Sequence, residues 1–114
     1  MYSINRQIAI IKPKEPYIKW INSLPGSEDP CNIVELNNDC TAFLIPHFDN
    51  NSESYKFMKK IYKKIFEIEL ESWSTDKRSW PKKRSFSLFE KWFYIEFHSE
   101  VLDVLGPGIE KEDY

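Results

Sequence analysis

The sequence predicts a small α+β domain of two layers, with a short antiparallel or mixed sheet packed on two long helices and a short one. Three observations carry that prediction. Two short runs rich in β-branched and apolar residues, 7–12 and 40–45, each stop at a proline. A long amphipathic stripe covers 52–73, and a second apolar stripe covers 88–105. Aromatic residues make up 16% of the 114 positions. A large ring buries about 150–250 Å², so a core is within reach without disulfide staples.

The elements follow in order. Gln-Ile-Ala-Ile-Ile-Lys at 7–12 reads as a strand closed by Pro13. Pro16 suits the first turn of a helix, where its missing N–H costs nothing. Tyr17, Trp20, Ile21 and Leu24 then keep helical spacing until Pro25-Gly26. Residues 26–32 read as a polar loop, and 33–36 fit either a brief strand or a helical turn. Asn37-Asn38-Asp39 is turn chemistry, and 40–45 is the second strand, stopped by Pro46. In the long helix, Met58, Ile61, Tyr62, Ile65, Phe66 and Ile68 share one stripe, opposite Lys56, Lys59, Lys60, Lys63 and Lys64. Residues 74–84 form a connector without periodicity. The last helix is placed from Ser87, which with Glu90 matches a capping box, to Leu105 ahead of Gly106-Pro107-Gly108. Phe89, Phe93, Phe97 and Val101 form its stripe, expected to pack with Trp92 on Ile61, Ile65 and Ile68. Residues 93–97 alone also suit a strand, but the stripe is too long for one. The chain is read as a single domain over 1–114, with 107–114 as a frayed tail.

Charge and cysteine usage narrow the classes. The formal charge is −2, from 16 basic and 18 acidic residues, which argues against a general nucleic-acid binder. No charged leader precedes a long apolar run, and no apolar stretch reaches membrane-spanning length, so neither a signal peptide nor a membrane span is expected. Cys31 and Cys40 lack CxxC spacing and fit reduced thiols in a cytoplasmic protein. With three glycines there is no phosphate-cradling loop, and no cofactor is expected. His47 and His98, the two histidines, lack the HExxH spacing of a helical metal site, and no metal is expected. His98 is expected as a partly buried helix residue. Neither cysteine has an activating pattern, and no GxSxG elbow is present.

The connector is the strongest local feature. Trp73, Asp76, Trp80 and Arg84 lie in it, with Lys77, Arg78, Lys82 and Lys83. On one reading the indoles and cations hold an acidic or single-stranded ligand. On the other the indoles plug the helix ends and Arg84 pairs with Asp76 to fix the connector. Residues 56–91 hold eleven of the sixteen basic residues, which reads either as a docking face or as a solvated helix face.

The pattern Trp73-x-x-Asp76, Trp80-Pro81, Arg84, Phe89-x-x-Trp92-Phe93 and His98-Ser99, followed by Val101 and Asp103, resembles a family of small bacterial proteins without an assigned activity. Ile11-Lys12-Pro13-Lys14-x-Pro16 and Trp20-Ile21-Asn22-Ser23-Leu24-Pro25 extend the resemblance over most of the chain. The resemblance imports no activity and names no ligand; Trp73, Asp76, Trp80, Arg84, His98 and Asp103 are the candidate binding residues. The favoured function is a protein-binding adaptor or regulatory module whose partner is another protein with an acidic surface. The alternatives are a small enzyme with a site near Asp76, Arg84, His98 and Asp103, and nucleic-acid binding through 56–91.

Overall fold

A computed structural model of the chain describes residues 1–26 and 30–114. The order is β1 (Tyr2–Ser3), β2 (Arg6–Pro13), α1 (Glu15–Ser23), α2 (Ile33–Asn37), β3 (Thr41–Pro46), α3 (Asn51–Glu71), a 3-10 turn (Lys77–Ser79), α4 (Phe86–Trp92), β4 (Phe93–His98) and β5 (Leu102–Asp103). It is an α+β fold. The central sheet has the order β3-β2-β4 with both pairings antiparallel, and β1 pairs with β5 in a separate short ribbon.

The alternation of β2 sets the layers. Gln7, Ala9, Ile11 and Pro13 are buried, while Arg6, Ile8, Ile10 and Lys12 are partly exposed. Residues two apart share a face of a strand, so the helices cover one side only. On that side Ala9, Ile11 and Ile45 join Tyr17 and Ile21 of α1, Met58, Tyr62, Ile65, Phe66 and Leu70 of α3, and Phe89 and Phe93 in one core. Asn50 caps α3 by accepting the Glu53 N–H at 2.9 Å. The buried Gln7 amide donates to Ser54 Oγ of α3, which joins the two layers through a polar contact.

The second long helix is a correction. The helix ends at Trp92, and Phe93–His98 is a strand paired along β2, from Ile8↔His98 to Pro13↔Phe93. Ser85, not Ser87, is the cap; its hydroxyl accepts the Leu88 N–H at 3.1 Å. The physical reason is the second edge of β2. A two-stranded sheet is marginal, and Phe-Tyr-Ile-Glu-Phe-His fits a pleated surface as well as a helix. Val101 accordingly leaves the expected stripe, and Ile68 is outside the core cluster, whereas Phe89 and Phe93 meet Phe66 at 5.5 and 5.7 Å between ring centroids.

The first helix, the two expected strands and the long helix match within one or two residues, whereas the β1–β5 ribbon and the 3-10 turn are not among the elements expected from the sequence. The ambiguous run at 33–36 is the short helix α2, capped by the Asn32 side chain. The polar loop expected over 26–32 falls in part, at 27–29, outside the described residues. Residues 104–114 carry neither helix nor strand.

Candidate functional site

The connector is anchored through its carbonyls. The buried Trp80 donates its indole N–H to Ser74 O at 2.9 Å, Trp20 donates to Ser79 O at 2.9 Å, and Tyr62 donates to Arg84 O at 3.0 Å. Arg84 donates to Pro81 O at 2.8 Å, and its guanidinium carbon stands 5.6 Å from the Trp80 ring centroid. The expected pairing of Asp76 with Arg84 is a correction. Asp76 caps the 3-10 turn and pairs with the nearer Arg78, accepting from its Nε at 3.0 Å and its backbone N–H at 3.0 Å. These bonds with Arg78 hold the Asp76 carboxyl below its ordinary value.

The remaining residues singled out by the sequence stand elsewhere. His98 is on β4, not a helix, and is exposed; its Nε2 lies 2.7 Å from Glu96 Oε1. Lys12 closes on the other oxygen of Glu96 at 2.5 Å, and these two contacts, the lysine first, hold that carboxyl below its ordinary range. Asp103 is in the β1–β5 ribbon, where it accepts the Leu105 N–H at 2.9 Å. Asp76, Arg84, His98 and Asp103 therefore spend their hydrogen bonds on four different local partners. Trp73, just past the end of α3, is exposed and lines a cavity.

Sequence reasoning missed that cavity. It holds about 190 Å³ between the end of α3, α1 and the start of β3, with Tyr17, Asp39, Cys40, Thr41, Glu69 and Trp73 in its wall. Glu69 Oε1 is buried without a hydrogen-bond partner among the described residues. Such an acceptor costs about 1–3 kcal/mol. Burial pushes the Glu69 carboxyl above its ordinary value, with Thr41 acting as an opposing hydrogen-bond donor. Burial likewise raises Tyr17, whose hydroxyl donates to Glu69 O at 2.7 Å. Cys40 is raised as well, by burial, against a lowering influence of Lys12. An activated nucleophile needs the opposite shift, so burial works against a reactive thiolate at Cys40. The available signal was spacing: Met58, Tyr62, Ile65 and Glu69 continue one stripe, which places a carboxyl where the helix faces inward.

The shift gives a signed expectation. Native protein binds the Glu69 proton more tightly than unfolded chain does. Stability therefore declines as pH rises from the unfolded value, about 4.3, through the higher native one, and the loss persists above it. Tyr17 and Cys40 are both raised and do not titrate in that window. Glu69→Gln is expected to melt higher than wild type at pH 8 and to lose that advantage near pH 4. An equal difference in Tm at both pH values would reject the assignment.

The five lysines of α3, Lys56, Lys59, Lys60, Lys63 and Lys64, are exposed. None joins an ion pair among the described residues, where the pairs are Lys12–Glu96, Arg78–Asp76 and His98–Glu96. No described group of three or more His, Cys, Asp or Glu is placed to hold a metal ion, and both cysteines are free thiols. No described helix is long and apolar enough to cross a membrane. Compared with family models, curated proteins and solved structures, the chain matches none.

Proposed function

We propose that the protein is a cytoplasmic binding module that docks the acidic surface of another protein along the exposed face of α3. The observation that carries this is the lysine row: five cations at i, i+3, i+4, i+7 and i+8, without carboxylate partners among the described residues. The rest of the charge distribution supports it. Residues 56–91 hold eleven basic and five acidic residues, while the remaining positions hold five and thirteen. The stretch that carries the lysine row is thus basic on a chain that is acidic in total, which favours an acidic partner and steers its approach. The local pairing of Asp76, Arg84, His98 and Asp103 favours this reading over a shared catalytic site.

The test is affinity capture from native lysate with nuclease treatment, followed by titration with the purified captured protein. Lys59→Glu with Lys63→Glu is expected to weaken that binding at least tenfold and to reduce its salt dependence. Because both side chains are exposed, the melting temperature should stay close to wild type. Capture that is unchanged by the double reversal, or that vanishes with nuclease, overturns the proposal.

A further inference from the structure

The cavity beside Glu69 is separate in chemistry from the lysine face. Its wall is acidic and aromatic: Glu69 and Asp39 line it, no described Lys, Arg or His does, and Tyr17, Trp73 and Phe93 supply rings. An anion would meet only repulsion there, whereas aromatic walls beside carboxylates suit an organic cation. Two donors in the wall are committed to backbone carbonyls. Tyr17 gives its hydroxyl proton to Glu69 O at 2.7 Å. Cys40 directs its thiol to Leu36 O and Asn37 O, both at 3.6 Å. Glu69 Oε1 is buried without a hydrogen-bond partner among the described residues, and Glu69 and Asp39 together give the wall its negative charge.

We propose that this cavity binds a small alkylammonium ion, its charge held by the carboxylates of Glu69 and Asp39 in the wall and its carbon chain lying against Tyr17, Phe93 and Trp73. The volume sets the size. At about 190 Å³ the cavity equals roughly six water volumes, at about 30 Å³ each, and is smaller than the ~300–1,000 Å³ of drug-sized sites. A ligand of about five heavy atoms fits that limit. Binding the cation favours the ionised carboxylate, so affinity rises with pH through the titration of Glu69. Tyr17 from α1, Asp39, Cys40 and Thr41 around the start of β3, and Lys12 of β2 acting on Cys40 are the groups that share this environment.

The experiment is an amide and indole NMR titration of the full chain with n-butylammonium chloride, against 1-butanol in NaCl of equal ionic strength. Saturable shifts at Cys40, Thr41, Ser72 and the Trp73 indole are expected with the ammonium. The alcohol should bind at least tenfold more weakly, and Glu69→Gln should weaken the ammonium at least tenfold. The Glu69 side-chain carboxyl, followed by carbon-13 shift in wild type, should titrate at lower pH when butylammonium is present and stay unmoved by butanol. This last readout needs no variant to fold. Equal, non-saturating shifts for the two compounds, undiminished binding by Glu69→Gln, or a Glu69 titration indifferent to butylammonium each overturn the site.

Discussion

Phe93→Ala is expected to lower the free energy of unfolding by about 3–5 kcal/mol, the usual cost of emptying a buried aromatic position. Whole domains are stable by about 5–15 kcal/mol, so the variant should approach the limit of folding at physiological temperature. Phe93 is 2% exposed, and its ring centroid lies 4.6 Å from that of Tyr17, 5.1 Å from Phe89 and 5.7 Å from Phe66. Those partners belong to α1, α4 and α3, so one ring ties three helices together. The same residue ends α4, its backbone N–H reaching Phe89 O, and begins β4 opposite Pro13. Losing it removes packing at the junction of the two layers, where relaxation into the cavity would disturb strand pairing. Urea unfolding with an unchanged slope provides the measurement. A midpoint equal to wild type would show that Phe93 is not the keystone described. Phe97→Ala is the internal comparison. Phe97 is only partly buried opposite Ala9, and its loss should cost less.

What the sequence made legible follows from how local each signal is. Pro13 and Pro46 close β2 and β3, and the four-residue rhythm of Met58, Tyr62 and Phe66 marks α3, because strand ends and amphipathic faces are written in neighbouring residues. The break at Trp92–Phe93 is not local. Phe89, Phe93 and Phe97 satisfy a helix, while Phe93, Ile95 and Phe97 satisfy a strand, and only the vacant hydrogen bonds of β2 on its second edge decide between them. The site divides similarly. Trp80 and Arg84 are legible as anchors from an indole and a guanidinium in an aperiodic connector. The choice of Arg78 over Arg84 as the partner of Asp76 depends on the 3-10 turn, which brings residues two apart together. The burial of the Glu69 carboxyl, with one oxygen lacking a partner among the described residues, depends on the approach of α1 and the chain before β3, which no local pattern encodes.

Trp80→Ala is expected to cost about 3–5 kcal/mol as well, through a different mechanism. Residues 74–84 carry little apolar surface, yet ordering them costs roughly 1–2 kcal/mol of backbone entropy per residue. Trp80, 6% exposed, is the one connector side chain in the core cluster. Its indole N–H holds Ser74 O, and its ring carries Arg84 at 5.6 Å and Lys77 at 5.9 Å from the centroid. Truncation removes the burial, leaves Ser74 O without that donor, and takes away the surface on which the guanidinium rests. Trp80→Phe separates these contributions: it keeps most of the apolar area and should lose only about 1 kcal/mol for the hydrogen bond. Arg84→Lys should cost about 0.5–1 kcal/mol, because an ammonium lacks the planar fork that bonds Pro81 O while stacking on the ring. Combined with Trp80→Ala, Arg84→Lys should add less than it costs alone, since the stacking on the ring is already gone and only the bond to Pro81 O is left to lose. Full additivity in that double-mutant cycle would uncouple Arg84 from the Trp80 ring, and wild-type melting of Trp80→Ala would remove Trp80 as the anchor of the connector.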